Sequence, residues 1–453
     1  MWPFRSRRIP RRVVVQAKYD SAQTTAENRK HWANADSLSA DAAGQKEIRQ
    51  TLRDRARYEV ANNSYARGIV ETLANDTIGT GPRLQLIADG VDDLEDEFHE
   101  WSQEVGLAAK LRTMRKAKVV DGEAFAQLVT NPSLASRVKL DLQPIEADRV
   151  TDPTPRLMAG PVSDGIQYDE YGNPTSYRVL KYHPGGVQIA ATAEYADVPS
   201  SAMIHWFRVD RPGQLRGLPE IMPALPLFSQ LRRYTLAVIA AAETAANISF
   251  IMETNAPPEE GAAEVEPMTE MEFRPNMGLF GPEGWSAKQF KSEQPTNTYE
   301  MFKGEILNEI ARCLNMPFNV AAGNSSKYNY ASGRLDHQVY YKAIDIEQSD
   351  CELVVLERIL EAWILERDRS RWPIDREWFW DGTEHVDPAK EASAQAQRLA
   401  SLTTTLAAEY ARQGRDWERE LRQVARERAL MTKLGIQPGD LKNEKTSEEE
   451  ERD

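Results

Sequence analysis

The chain has 453 residues, of which 41% are hydrophobic and 28% charged, a soluble globular balance whose length suits about three domains. Its formal net charge of −14 argues against a protein that coats DNA through a broadly basic face. Its two cysteines, Cys313 and Cys351, belong to no C-x-x-C pair, so neither a disulfide scaffold nor a structural zinc site is expected, and a reducing compartment fits.

The charge is uneven. Residues 1–19 carry +6, Glu253–Glu272 carries −7, and the tail Asp440–Asp453 carries −4. The basic arm has two readings, a tether for nucleic acid or an acidic partner and a solubilising end. No uninterrupted apolar run follows its arginines, so no signal peptide is read. The most apolar stretch, Leu236 to Met252, contains Glu243 and Asn247 and falls short of a membrane span.

After the arm, Ile48, Leu52, Ala56, Val60, Asn63, Val70 and Leu73 recur at helical steps, predicting one amphipathic helix ended by Gly79 and Gly81. A short strand around Leu84 and Leu86 follows. A second helix carries Val91, Leu94, Phe98, Trp101 and Val105 on one face. Strands are expected from Ala124 to Val129, in a hairpin from Gly165 to Tyr182 turning at Tyr171–Pro174, and from Met203 to Phe207. The first half therefore reads as mixed α/β.

Composition then shifts. A helix is predicted from Pro219 to Phe250, with prolines in its first turns and a string of alanines later that allows close approach by neighbours. The acidic Glu253–Glu272 segment reads as a mobile loop, and strand-like pieces follow from Phe273 to Phe290. A helix from Tyr299 to Leu314 places Phe302, Ile306, Ile310 and Leu314 at four-residue steps. A polar and aromatic stretch runs from Pro317 to Ser332. A long helix from Gly333 to Glu366 is then expected to bury Leu335, Val339, Ala343, Ile346, Leu353, Leu356, Leu360 and Trp363. Asp387-Pro388 reads as an N-cap plus first-turn proline, Gly414 as a helix break and Asp416 as the next cap.

Catalytic signatures are missing. There is no G-x-x-x-x-G-K-[ST], H-E-x-x-H, EF-hand loop or G-x-S-x-G, and no glycine is followed by lysine, so a P-loop motor is excluded. Gly79-Thr80-Gly81 reads as a helix C-cap rather than a ligand loop. Asp381, Glu384, His385 and Asp387 form the densest ligand-like cluster, against a plainer reading as a loop with a helix cap. His205 reads as a hydrogen-bonded strand residue, and Asp121 and Glu123 around Gly122 as a turn. Lys327 is either a phosphate contact or a solvated loop charge.

Several segments in order resemble the lambda family of tailed-phage portal proteins. They are Ala61–Arg67 through Ile78–Gly81, Asp121–Phe125, Leu142–Arg149, Arg211–Gly217, Ile310–Pro317, Asn329–Arg334 and Gly414–Glu418, and the resemblance spans about Gly44 to Gly435. It implies a helix-rich α+β fold with α/β wing, helical stem, small α/β clip and helical crown, assembled as a ring, usually of twelve copies, at one capsid vertex. The implied division is an arm over 1–43, wing 44–218, first stem helix 219–252, clip 253–298, second stem helix 299–316 and channel loop 317–332. A long wing helix and aromatic connection (333–386), a crown (387–439) and an acidic tail (440–453) complete it.

The resemblance further implies passage of double-stranded DNA without sequence readout. Asn324, Ser325, Ser326, Lys327, Tyr328 and Asn329 would contact DNA, and Trp285, Lys288 and Lys291 would contact terminase. Implied partners are further copies of the chain, the terminase large subunit, the major capsid protein or scaffold and a head-tail connector. The implied setting is the virion, and the host cytoplasm during assembly. No catalytic residue, metal, cofactor or membrane is expected. The alternatives are a virion adaptor without a DNA channel and a metal-dependent nuclease or protease of head maturation.

Overall fold

The computed structural model describes residues 25–88, 90–153, 162–186, 194–247, 251–254, 285–288, 298–326, 329–382 and 388–435. A one-turn helix α1 (Ala40–Ala43) leads into α2 (Lys46–Asn62) and α3 (Ser64–Ile78). The single helix expected here is broken at Asn63, whose extended backbone leaves the helical path and whose side chain accepts from the Tyr65 and Ala66 amides to cap α3. The buried face of α2 also differs from the apolar stripe predicted. It consists of Arg49, Arg53, Ala56 and Glu59, while Ile48 faces solvent.

Strand β1 (Arg83–Leu86) and α4 (Asp92–Glu104) follow the predicted pattern, α4 burying Leu94, Phe98 and Trp101. Helix α5 (Leu107–Asp121), which the sequence reading left unassigned, is buried through Leu107, Leu111, Met114 and Val119. It is followed by β2 (Glu123–Thr130), β3 (Leu140–Ile145), β4 (Val162–Ser163), β5 (Ile166–Tyr168), β6 (Pro174–Leu180), β7 (Tyr195–Pro199) and β8 (Met203–Phe207). These form two antiparallel sheets, ordered β3-β2-β8 and β4-β5-β6-β7. In the β5–β6 turn, Asp169 accepts from the Tyr171 and Asn173 amides and Gly172 supplies the left-handed residue.

Helix α6 (Leu225–Asn247) begins later than predicted, after a 3₁₀ turn at Met222–Ala224 that accommodates Pro223. Strands β9 (Ile251–Thr254) and β10 (Trp285–Lys288) pair antiparallel, Trp285 opposite Thr254 and Lys288 opposite Ile251. Most of the predicted acidic loop lies outside the described residues. Next come α7 (Thr298–Arg312), a short α8 (Phe318–Ala322) and α9 (Tyr330–Cys351), which passes through a π-helical turn (Glu352–Leu356) into α10 (Glu357–Arg367). Part of the expected polar loop is thus helical at both ends. Strand β11 (Arg376–Phe379) returns to pair with β1, Leu84 opposite Trp378. The C-terminal helices are α11 (Pro388–Ala400), α12 (Leu406–Arg412) and α13 (Trp417–Leu434), the last capped by Asp416 as predicted. Asp387 lies outside the described residues.

Three apolar clusters hold these elements. One packs Phe98, Trp101 and Met114 against Trp206, Val355 and Trp363. A second joins Ile69 and Leu73 of α3, Phe228 and Leu231 of α6, Leu307 and Ile310 of α7, and Tyr340 and Ile344 of α9. A third fills the space between the two sheets with Phe125, Ile166, Tyr177 and Met203. The stripe predicted for the long helix is therefore buried only in its last part, at Leu356, Leu360 and Trp363, while α9 itself buries Tyr340, Ile344 and Cys351. Leu335, Val339, Ile346 and Leu353 are all exposed.

Candidate functional site

The segment from α7 to α9 is built by helix-ending residues. Asn315 takes a left-handed φ of 53° after α7, and Pro317 starts α8. Gly323, at φ 61°, ends α8 with its amide directed to the Asn319 and Val320 carbonyls. Asn319 then organises the exposed turn: its Nδ2 donates to Ser325 Oγ at 3.3 Å and sits 3.2 Å from His337 Nε2. Asn324 Oδ1 accepts from the Ser326 amide at 3.0 Å. The Asn329 carbonyl accepts from the Gly333 amide at 3.0 Å, in the first turn of α9. Asn324, Ser325, Ser326 and Asn329 are all exposed. Lys327 and Tyr328 lie outside the described residues.

Beside this turn is a cleft of about 640 Å³ between α7, α8 and the start of α9, lined in part by Tyr65, Lys303, Arg312, Phe318, Asn324 and Ser326. Its wall carries two cations, Lys303 and Arg312, and three carboxylates, Glu300, Glu305 and Asp336. The groups present can make hydrogen bonds and charge contacts of either sign. Nothing in the cleft assembles a nucleophile with a base.

Helix α9 is anchored to the α/β part by buried polar contacts. Glu347 receives the Lys118 ammonium, which also lies 4.7 Å from the Trp206 ring. Arg115 Nε lies 3.6 Å from Glu347 Oε1, Tyr340 Oη donates to Asp76 Oδ2 at 2.8 Å, and Gln348 Nε2 to the Thr77 carbonyl at 2.9 Å. Burial raises the Asp76 pKa despite the Tyr340 hydrogen bond, and raises that of Tyr340. The exposed turn before α9 therefore sits at the end of a lever fixed in the core.

The largest charged constellation went unread in the sequence. Arg49, Arg53 and Arg57 leave α2 at four-residue steps and, with Arg216, meet Asp121, Glu123, Asp148 and Asp164. Arg216 grips Glu123 with two bonds, Nε to Oε2 at 2.8 Å and Nη2 to Oε1 at 2.6 Å. Arg57 does the same to Asp121 at 2.7 and 2.9 Å. Glu123 is fully buried. Burial alone would raise its pKa, but Arg216 and His205 hold it well below the usual carboxylate range. His205 stacks between Phe125 and Phe207, at 4.2 and 4.4 Å, with Nε2 3.1 Å from Glu123 Oε2, and burial lowers its pKa. The strand reading of His205 agrees with this geometry. Gly122 does form a turn, at φ 89°, where a Cβ would meet the Leu218 carbonyl carbon at 2.4 Å. Its two acidic flanks, however, are buried ion-pair partners. The arginine spacing on α2 was the available signal.

The ligand-like cluster does not assemble in the described residues. Asp381 accepts from the Thr80 amide at 2.5 Å and the Thr80 hydroxyl at 2.7 Å, and its carboxylate fills the space a side chain at Gly79 would need. Glu384, His385 and Asp387 lie outside the described residues. Among the described residues no group of three or more His, Cys, Asp or Glu is placed to hold a metal, and no helix is long and apolar enough to cross a membrane. Trp285 and Lys288 fall on β10, and Lys291 lies outside the described residues.

Residues 26–348 match the family model described as phage portal protein, lambda family. A probable portal protein of Halomonas phage phiHAP-1 is 25% identical over 432 residues, covering 85% of this chain and 82% of that protein. Among solved structures, the neck of an empty GTA particle computed with C6 symmetry superposes with a TM-score of 0.51 at 15% identity, covering 79% of this chain and 92% of that one, a likeness of fold. An HK97-family phage portal protein from Corynebacterium diphtheriae also matches, at 14% identity and a TM-score of 0.30, covering 75% of this chain and 96% of that one.

Proposed function

Because the chain belongs to the lambda family of phage portal proteins, and its function is that of a portal protein at the capsid vertex, we propose that its copies close into a ring around a channel for double-stranded DNA. The observation that carries the ring is the set of helices whose apolar faces the single chain leaves uncovered. Leu236 and Ile239 on α6, Met301 and Phe302 on α7, Leu335, Val339 and Ile346 on α9, and Leu421, Leu430 and Leu434 on α13 are all exposed. Exposed apolar faces of this extent mark protein–protein contact, and contact between unlike patches of identical chains closes into rings. A ring of twelve is our expectation.

In this reading the turn at Asn324–Asn329 is the channel loop and touches the DNA backbone without reading sequence. The segments 44–218, 219–316 and 387–439 are wing, stem with clip, and crown. Trp285, Lys288 and Lys291 belong to the surface that meets the terminase large subunit, while capsid protein or scaffold and a head-tail connector hold the ring in place. Assembly occurs in the host cytoplasm, and the chain performs no catalysis of its own.

Electron microscopy of the purified protein is expected to show rings with a central hole. Particles without a hole overturn the channel. Deleting residues 323–328 is expected to leave rings intact and reduce packaged DNA, and full packaging by that deletion rules out the loop's role.

A further inference from the structure

Helix α9 carries two stripes. One is buried through Tyr340, Ile344, Glu347 and Cys351, and is the face anchored by Lys118 and Asp76. The other consists of Leu335, Val339, Lys342, Ile346, Ser349 and Leu353 at alternating four- and three-residue steps, the spacing of a coiled-coil seam. All six are exposed, the apolar four at 64%, 50%, 56% and 69%. The stripe spans about 27 Å at the rise of an α-helix. Because the opposite face is fixed in the core, this surface is presented rigidly.

A second exposed stripe lies on α6, with the Arg232 guanidinium 6.0 Å from the Tyr58 ring. Arg232, Arg233, Leu236, Ile239, Ala240 and Glu243 face solvent at helical steps, while Phe228 and Leu231 point into the same core that receives α9. The two stripes differ in charge. Asp345 and Asp350 flank the α9 stripe, whereas two adjacent arginines head the α6 stripe. Asp345 is partly desolvated, and burial raises its pKa. Each stripe also holds one opposite charge, Lys342 on α9 and Glu243 on α6, and an antiparallel pairing of α9 with α6 that sets Val339 beside Ile239 places Asp345 against Arg233.

We infer that the outward face of α9 in one copy is covered by the outward face of α6 in the adjacent copy. This contact is head to tail and uses two different patches of one chain, so it repeats from copy to copy and closes into a ring when the rotation per copy divides a full turn. It rests on the ring reading above and names the surfaces that make it.

The test is a cysteine pair, Val339→Cys with Ile239→Cys, in the full chain, with each single variant as control for Cys313 and Cys351. Mild oxidation is expected to give a ladder of covalent oligomers from the double variant and none from the singles. Rings seen by microscopy without a ladder overturn the α9–α6 pairing alone, whereas wild-type protein without rings overturns the reading beneath it. Should the cysteine pair itself block assembly, charge reversal decides. Arg233→Glu is expected to weaken assembly about tenfold, and adding Asp345→Arg, six residues from Val339 as Arg233 is from Ile239, to restore it. Assembly unchanged by Arg233→Glu, or no restoration by the second change, overturns the pairing.

Discussion

Glu123 shows how a charge can be both buried and stable. Its carboxylate is satisfied by Arg216, Arg53 and His205, and four arginines balance four carboxylates around it. Removing one member strands a charge in a medium that solvates it poorly. Glu123→Gln is therefore expected to destabilise the chain by about 3–5 kcal/mol, read from urea unfolding at neutral pH. The pH dependence has a defined sign. The folded pKa of His205 lies below its ordinary 6.5, so the neutral ring's contribution is complete above that pH and is lost as pH falls through the folded value. Glu123 is likewise depressed, so its contribution is present above 4.5 and is lost at still lower pH. His205→Gln is expected to flatten the loss of stability just below pH 6.5 while leaving the loss below 4.5 in place. None of this constellation was legible residue by residue, because Arg49, Asp148, Asp164 and Arg216 are far apart in sequence and each looks like an ordinary surface charge.

Secondary structure was legible wherever a local rule decides it. The α4 face, the β5–β6 hairpin and the caps at Gly414 and Asp416 follow from periodicity and turn chemistry within a few residues. The break at Asn63 was missed because the apolar rhythm runs across it, and the side-chain cap of α3 overrides that rhythm. The C-terminal helices are tied to the α/β part mainly by polar contacts: Asp381 to Thr80, Asp416 to Gln85 at 3.3 Å, and Arg419 to Asp96. Helix α13 has no buried residue. Asp381→Ala is accordingly expected to speed amide hydrogen exchange in residues 388–434 while leaving the exchange of α5 and β2 unchanged. Equal acceleration in both regions would show that Asp381 supports the α/β core instead.

Over the whole molecule, the net charge of −14 takes on a different meaning once the chain is a portal protein. Each phosphate neutralised by a fixed cation adds a counterion-release term to affinity, so a strongly basic wall in the proposed channel would hold a duplex instead of passing it. Asn324→Lys with Ser326→Lys is expected to increase DNA retention by the rings, to steepen its decline with salt and to slow packaging. Retention is measured by filter binding across a salt series, and unchanged retention places these residues away from the DNA.

The sequence by itself determined most of the elements and their order, though not α5, α8 or the break between α2 and α3, together with the absence of catalytic signatures and the family resemblance, because these rest on local periodicity, turn chemistry and short motifs. It also placed Leu335, Val339, Ile346 and Leu353 in the buried stripe of the long helix, with Ala343, Leu356, Leu360 and Trp363. Only the tertiary structure decided that, among the described residues, none covers the first four of these, since burial depends on which face of α9 the wing core occupies, and Glu347 and Tyr340 claim the other one. It likewise decided that Arg49, Arg53 and Arg57 point inward, because their stability comes from carboxylates that only folding brings within reach.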